Sequence, residues 1–223
     1  MDFTHRVDSP VHASLEHEFT SIGDNVKWKA GNEPANPLRT YVFMPRDIVY
    51  FDLETQRTAN DAGGWDKKRE MGMSIGVTYS TKLGEYQIYT EKDVHLLVDQ
   101  LIKADLVVGF NVISFDYEVL GAYTILDLAH TARTLDLMVD IEKTLGHRLK
   151  LDVLATATLG VGKTGDGLDA IRWWREGRIA EIAEYCCFDV KCTKLIHEHG
   201  MIHKELQYVD KFQNRRSVRV DWS

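Results

Sequence analysis

The sequence predicts an α/β domain, a mixed sheet of about five or six strands with helices on both faces. Two observations predict it. Residues 47–90 hold three strand-like runs, the second and third joined by a short turn, which calls for antiparallel pairing. From residue 94 onward, apolar spacing of helical period alternates with short β-branched runs, which calls for crossover connections and parallel strands.

The elements follow in order. All four prolines (Pro10, Pro34, Pro37, Pro45) fall in the first 45 residues, so residues 1–40 read as an irregular N-terminal arm and 41–223 as one domain. Asp47-Ile-Val-Tyr-Phe-Asp-Leu-Glu54 is dense enough in β-branched and aromatic residues for a central strand. Strands are expected at Ser74–Tyr79 and Tyr86–Thr90, parted by the turn Ser80–Gly84. Val94, Leu97, Val98, Leu101 and Ile102 share one helix face, and Thr90 with Asp93 reads as its capping box. Leu106–Phe110 is a buried strand, and Ser114 is placed to cap a helix from Phe115 to about Tyr123. A short strand over Thr134–Leu137 precedes helices near Ile141–Thr144, Leu151–Leu159 and Ala170–Arg175. The last long helix runs from Ile179 to His199 and is expected to stop at Gly200. Val218, Val220 and Trp222 alternate, which suggests a closing edge strand.

Bulk properties narrow the classes of function. The chain is 223 residues long, 44% hydrophobic and 27% charged, ordinary for a globular protein. No apolar run approaches the ~20 residues a membrane span needs, and Met-Asp-Phe-Thr-His-Arg lacks signal-peptide blocks, so the cytoplasm is the expected address. The three cysteines (Cys186, Cys187, Cys192) form no spaced framework and read as buried thiols rather than a zinc site. A net charge of −7 argues against a strong duplex binder, though a cation-filled carboxylate cluster could still act on nucleic acid.

Three stretches carry chemistry. Asp52 and Glu54 are two apart on the first strand, so both side chains leave one face with origins ~6.5–7 Å apart. Two carboxylates so placed repel unless a cation joins them. Asn111 and Asp116 follow the strand Leu106–Phe110, with Asp116 in the first turn of a helix, where the dipole favours negative charge. Tyr185 and Asp189 are four apart on the last long helix, near apolar Ile182, Cys186, Thr193 and Ile196, so Asp189 should point into the protein. Each alone is also what an ordinary strand end, helix start or solvated stripe contains.

Together they are more specific. Asp52-Leu53-Glu54, Gly109-Phe110-Asn111 through Phe115-Asp116, and Tyr185-x-x-x-Asp189 resemble, in order, the three motifs of the DEDD-superfamily 3′–5′ exonucleases. The resemblance covers about residues 47–200. It is nearest to the proofreading domain of family-B DNA polymerases and its small stand-alone ribonuclease-H-like relatives. Position 184 is Glu184 rather than histidine and position 185 is Tyr185, which marks the tyrosine branch (DEDDy).

The resemblance implies a ribonuclease-H-like fold and phosphodiester hydrolysis at a single-stranded or frayed nucleic-acid 3′ end. It implies two Mg²⁺ or Mn²⁺ ions held by Asp52, Glu54, Asp116 and Asp189, one supplying an activated water and the other stabilising the departing 3′ oxygen. Tyr185 would orient that water, and Asn111, Leu53, Phe115 and Lys163 would contact substrate or hold the loop around it. A polymerase or helicase is the protein partner expected if the chain is instead a non-catalytic module of this fold.

Other stretches carry weaker signals. Gly160–Gly167 is not a nucleotide-binding P-loop, because Ala157 stands where its first glycine must be. As a glycine loop near the cleft, it offers Lys163 or backbone N–H groups to a phosphate, and the stand-alone relatives carry a similar Leu-Gly-x-Gly-Lys stretch. Trp173 and Trp174, among Arg172, Arg175 and Arg178, suit either base stacking or the core, and Asp136 suits a supporting carboxylate. None of the nine histidines shows ligand spacing. Two other readings stay open: a non-catalytic binding module of the same fold, and a phosphodiesterase of short oligonucleotides.

Overall fold

Strand β1 (Ile48–Thr55) lies in the middle of the sheet, as a run apolar on both faces requires. This computed structural model describes residues 46–162 and 167–222. The arm expected over residues 1–40 and the loop lysine Lys163 fall outside them. On one side of β1, β2 (Met73–Ser80) pairs antiparallel, and β3 (Glu85–Thr90) pairs antiparallel with β2. On the other, β4 (Leu106–Gly109) pairs parallel with β1, and β5 (Thr134–Asp136) parallel with β4. The order β3-β2-β1-β4-β5 is the mixed sheet expected, with five strands.

Helices α1 (Ala59–Ala62), α2 (Val94–Lys103), α3 (Asp116–Leu120) and α4 (Leu128–Thr131) fall among or between the strands. After β5 come α5 (Leu137–Leu145), α6 (Leu151–Leu159), α7 (Gly167–Arg175) and α8 (Ile179–His203). Among the described residues no helix is long and apolar enough to cross a membrane.

The period of two along β1 divides the core. Val49, Phe51 and Leu53 pack with Leu97 and Leu101 of α2 and Leu120 of α3. Tyr50 faces the other way, toward Ile182, Val190 and Ile196 of α8 and Leu154 of α6. A buried Leu or Ile is worth ~1.5–3 kcal/mol, so this second layer clamps α8 across β1. Asp52 and Glu54, in phase with Tyr50, are therefore aimed at α8.

Several local expectations change. Thr90 and Asp93 bond each other, Oγ1 to Oδ2 at 2.7 Å, and the turn they open is 3₁₀ before α2 begins. Ser114 donates to Asn111 Oδ1 and caps nothing; α3 is shorter than expected. The real cap is Asp136, which accepts from Met138 and Val139 N–H and starts α5 four residues early. Helix α8 runs past Gly200 to His203. Gly200 is small for packing, not stopping: a Cβ there would lie 2.4 Å from the Trp222 ring. The C-terminal strand is not an edge of the main sheet. β6 (Glu205–Val209), absent from the expectation, pairs antiparallel with β7 (Arg215–Arg219) in a separate hairpin, and Val220 and Trp222 follow as a buried tail.

Candidate active site

Strand β1 supplies two carboxylates at its carboxyl end, where pairing with β2 shifts register between Glu54 and Thr55. A bulge there re-aims the chain beside a site. Helix α8 supplies Tyr185, Cys186 and Asp189 from adjacent turns. Oxygens of Asp52, Glu54 and Asp189 all lie within 4.8 Å of one another, and all three residues are half-buried.

Asp116 stands outside that group of three and close to it. It is almost fully buried, and its Oδ1 accepts the Leu53 N–H at 3.1 Å. The loop before it is built for this. A Cβ on Gly109 would lie 2.2 Å from Val112 and 3.1 Å from the Phe51 carbonyl, so only glycine lets the chain leave β4 so tightly. Asn111 follows at φ +70°, a conformation asparagine tolerates. Its N–H and that of Ile113 donate to the buried Asp136 at 2.9 and 3.0 Å. One carboxylate thus holds both this loop and the start of α5.

Electrostatics sets the cluster apart. Burial first, then the charges of Asp116, Asp189 and Glu54, hold the Asp52 carboxyl well above its ordinary range. Glu54 is raised by burial and then by Asp189 and Asp116. Burial lifts Asp116 to about 7, against the lowering effect of the Leu53 N–H. Burial, followed by Asp189, Glu54 and Asp52, keeps the Tyr185 phenol protonated far above its usual range, and its hydroxyl hydrogen-bonds Asp189.

The sequence-predicted residues divide in two. Asp52, Glu54, Asp116, Tyr185 and Asp189 come together. Asn111 shapes the loop, and Phe115, half-buried, faces the ring of Trp65 at 6.4 Å. The Leu53 side chain is buried in the other core layer, so this residue gives the site only its backbone N–H. Trp173 and Trp174 are half-buried and pack against the core, and Trp173 meets Tyr185 edge-on at 6.2 Å. Gly160 closes α6 at φ +70°, and Val161 and Gly162 line a cleft of about 200 Å³ with Tyr185 and Asp189.

Sequence reasoning missed two neighbours. Cys186 is fully buried, with its thiol 3.4 Å from both the backbone oxygen and Oδ2 of Asp52. Trp65 is 69% exposed on the loop after α1. Its one sequence signal was an aromatic following Gly63-Gly64 in a polar stretch.

The donor set suits a hard divalent cation: oxygens only, from carboxylates whose mutual repulsion a cation would relieve. Fold and cluster together define a ribonuclease-H-like protein with an acidic site at the end of its central strand. The comparisons with known proteins agree. The family model of the RNase H superfamily matches residues 49–201, and the chain belongs to that superfamily. Among solved structures, it is similar to the family B DNA polymerase of the hyperthermophilic archaeon Pyrobaculum calidifontis, with TM-score 0.55 and 15% identity. The match covers 79% of this chain and 26% of the polymerase, so the chain spans about a quarter of that protein's length. No curated protein matches the sequence. Superfamily membership and the acidic cluster support a nuclease-type function with bound divalent metal.

Proposed function

We propose that the chain is a 3′–5′ exonuclease of the DEDDy type, releasing nucleotides one at a time from a nucleic-acid 3′ end by a two-metal mechanism. The observation that carries this reading is the meeting of Asp52, Glu54 and Asp189 oxygens within 4.8 Å, with Asp116 alongside.

In this reading Asp52, Glu54, Asp116 and Asp189 would hold two Mg²⁺ or Mn²⁺ ions, which when bound would lower the pKa of the attacking water and offset charge on the departing 3′ oxygen. Asp52 and Glu54 present their oxygens from a rigid strand, and Asp189 closes the group from α8. Asp116 is oriented by the Leu53 N–H. Tyr185 keeps its proton, so it aligns the water as a hydrogen-bonding group and does not serve as a base. Water oxygen bonds to phosphorus, the bond from phosphorus to the 3′ oxygen breaks, and that oxygen takes up a proton. The products are a nucleoside 5′-monophosphate and a strand one residue shorter.

A 5′-labelled single strand incubated with Mg²⁺ or Mn²⁺ tests this. A ladder shortening from the 3′ end, abolished by EDTA, is the expected result. Binding without any cutting supports the non-catalytic module instead, and hydrolysis confined to dinucleotides supports the short-substrate phosphodiesterase.

A further inference from the structure

The −7 charge of this chain is unevenly placed. Residues 204–219 hold Lys204, Lys211, Arg215, Arg216 and Arg219 against Glu205 and Asp210, a net +3, which leaves −10 on the rest. That segment is the β6–β7 hairpin. Leu206 pairs with Val218, and both are buried, which fixes the inner face. Arg215, Ser217 and Arg219 therefore line the outer face in a row, all exposed, with ~7 Å between successive side chains. Arg216 is held by Asp210 at 3.1 Å and Lys204 by Asp221 at 3.5 Å. Arg215 and Arg219 form no ion pair among the described residues.

The tip is built, not slack. Asp210 Oδ1 accepts the N–H groups of Phe212 and Asn214 at 2.8 and 2.9 Å. This turn raises Phe212 to 72% exposure, with the Lys211 ammonium 5.1 Å from its ring. An exposed phenyl on a pinned polar turn, between cations, contributes nothing to the core.

The hairpin also adjoins the site. Thr158 near the end of α6 hydrogen-bonds Gln207 of β6 twice, each bond 2.9 Å. Three and four residues on, Val161 and Gly162 line the cleft that holds Tyr185 and Asp189, and Lys150 at the start of α6 lines it too. The hairpin and the cleft share α6 as a wall.

We propose that the β6–β7 hairpin binds single-stranded nucleic acid, with a base stacked on Phe212 and phosphates met by Lys211, Arg215 and Arg219. Cations spaced along a strand match a phosphodiester backbone, and an exposed aromatic is of use only to an unstacked base. The proposal rests on the exonuclease reading for its purpose: it explains how an acidic chain retains a strand longer than its cleft.

Fluorescence anisotropy of the full chain with a labelled oligonucleotide of about 20 nucleotides tests it, with EDTA present to prevent cutting. Arg215→Gln with Arg219→Gln should weaken binding about tenfold and flatten the log–log salt dependence by about 1.4. Phe212→Ala should weaken it about fivefold or more. Turnover of a dinucleotide should stay unchanged in both variants, which also reports that they fold. Poly-glutamate should not displace the oligonucleotide; displacement as efficient as by unlabelled strand would make the hairpin a contact for acidic proteins and overturn the proposal. Unchanged affinity and salt slope in both variants of an enzyme that cuts would overturn the hairpin assignment alone. A wild type that binds through these residues yet never cuts would sink the exonuclease reading and leave the hairpin standing.

Discussion

One strand face and one helix meet at two ends of the same contact, and the two ends are opposites. Tyr50, Asp52 and Glu54 are in phase on β1, and all three face α8. At the Tyr50 end the polar groups are met within the protein but for one, the buried His197 Nε2, which has no hydrogen-bond partner among the described residues. The Tyr50 hydroxyl shares a hydrogen bond of 2.9 Å with His197 Nδ1, both residues are 1% exposed, and Trp222 closes over them while its indole N–H donates to Asp140 at 2.7 Å. At the Glu54 end, three half-buried carboxylates converge with Asp116 beside them, and burial followed by the neighbouring charges holds Asp52 and Glu54 well above the ordinary carboxylate range. The first end holds α8 in place. The second retains a conflict that a bound cation would resolve, and such conflicts mark functional sites.

Substitution should separate the ends most sharply. Asp52→Asn or Asp189→Asn should lower the rate of cutting by about a thousandfold or more, since several kcal/mol of charge stabilisation goes with the metal. Tyr50→Phe should leave that rate within about twofold, because it touches only the structural end. Single-turnover cutting of a labelled strand measures both, and comparable losses in the two variants would abolish the distinction. Tyr185→Phe is the next largest effect, about tenfold to a hundredfold, because the water loses its alignment while the ligands remain.

Stability should show the reverse pattern. Tyr50→Phe leaves His197 Nδ1 without its partner and should cost about 1–3 kcal/mol in urea unfolding. Asp52→Asn should stabilise the metal-free protein by removing repulsion.

Acidity should show the two ends pulling in opposite directions. Asp116 is raised to about 7 in the folded state, so its contribution is present below the unfolded value near 4 and lost as pH climbs toward 7. His197 is lowered to about 4, chiefly by burial. Its contribution is present above the unfolded value near 6.5 and lost as pH falls toward 4. Melting curves of the EDTA-treated protein from pH 4 to 7 should therefore steepen in favour of acid in His197→Gln and in favour of neutral pH in Asp116→Asn. These are the smallest effects, and identical profiles in both variants would contradict the assignment.

Much of the functional end was legible in the sequence, because its signals are local. A spacing of two on a strand and of four on a helix fixes which faces Asp52, Glu54, Tyr185 and Asp189 share, whatever the rest of the chain does. What escaped depended on distant partners. Gly200 resembles a helix stop until Trp222, 22 residues later, occupies the space a side chain would need. Cys186 is a plain apolar thiol by pattern, and only packing across β1 sets it against Asp52. Asp136 was legible as a supporting carboxylate, but not as the acceptor of N–H groups from both the Asn111 loop and α5. β6 alternates as Glu-Leu-Gln-Tyr-Val, yet it is five residues long and its strand partner is β7 alone, outside the main sheet, so its local signal is weak. Leu53 shows the converse: a position inside a motif whose side chain, by the period of two, had to face away.

Thermal unfolding across a manganese titration, run on the wild type and on Asp52→Asn, addresses the carboxylate end most directly. The wild type should gain ~2.7 kcal/mol at a hundred times the dissociation constant, a rise of several degrees. Asp52→Asn should melt higher at the start and gain little. A flat wild-type titration, or an equal gain in both proteins, would mean that Asp52, Glu54 and Asp189 do not form a cation site.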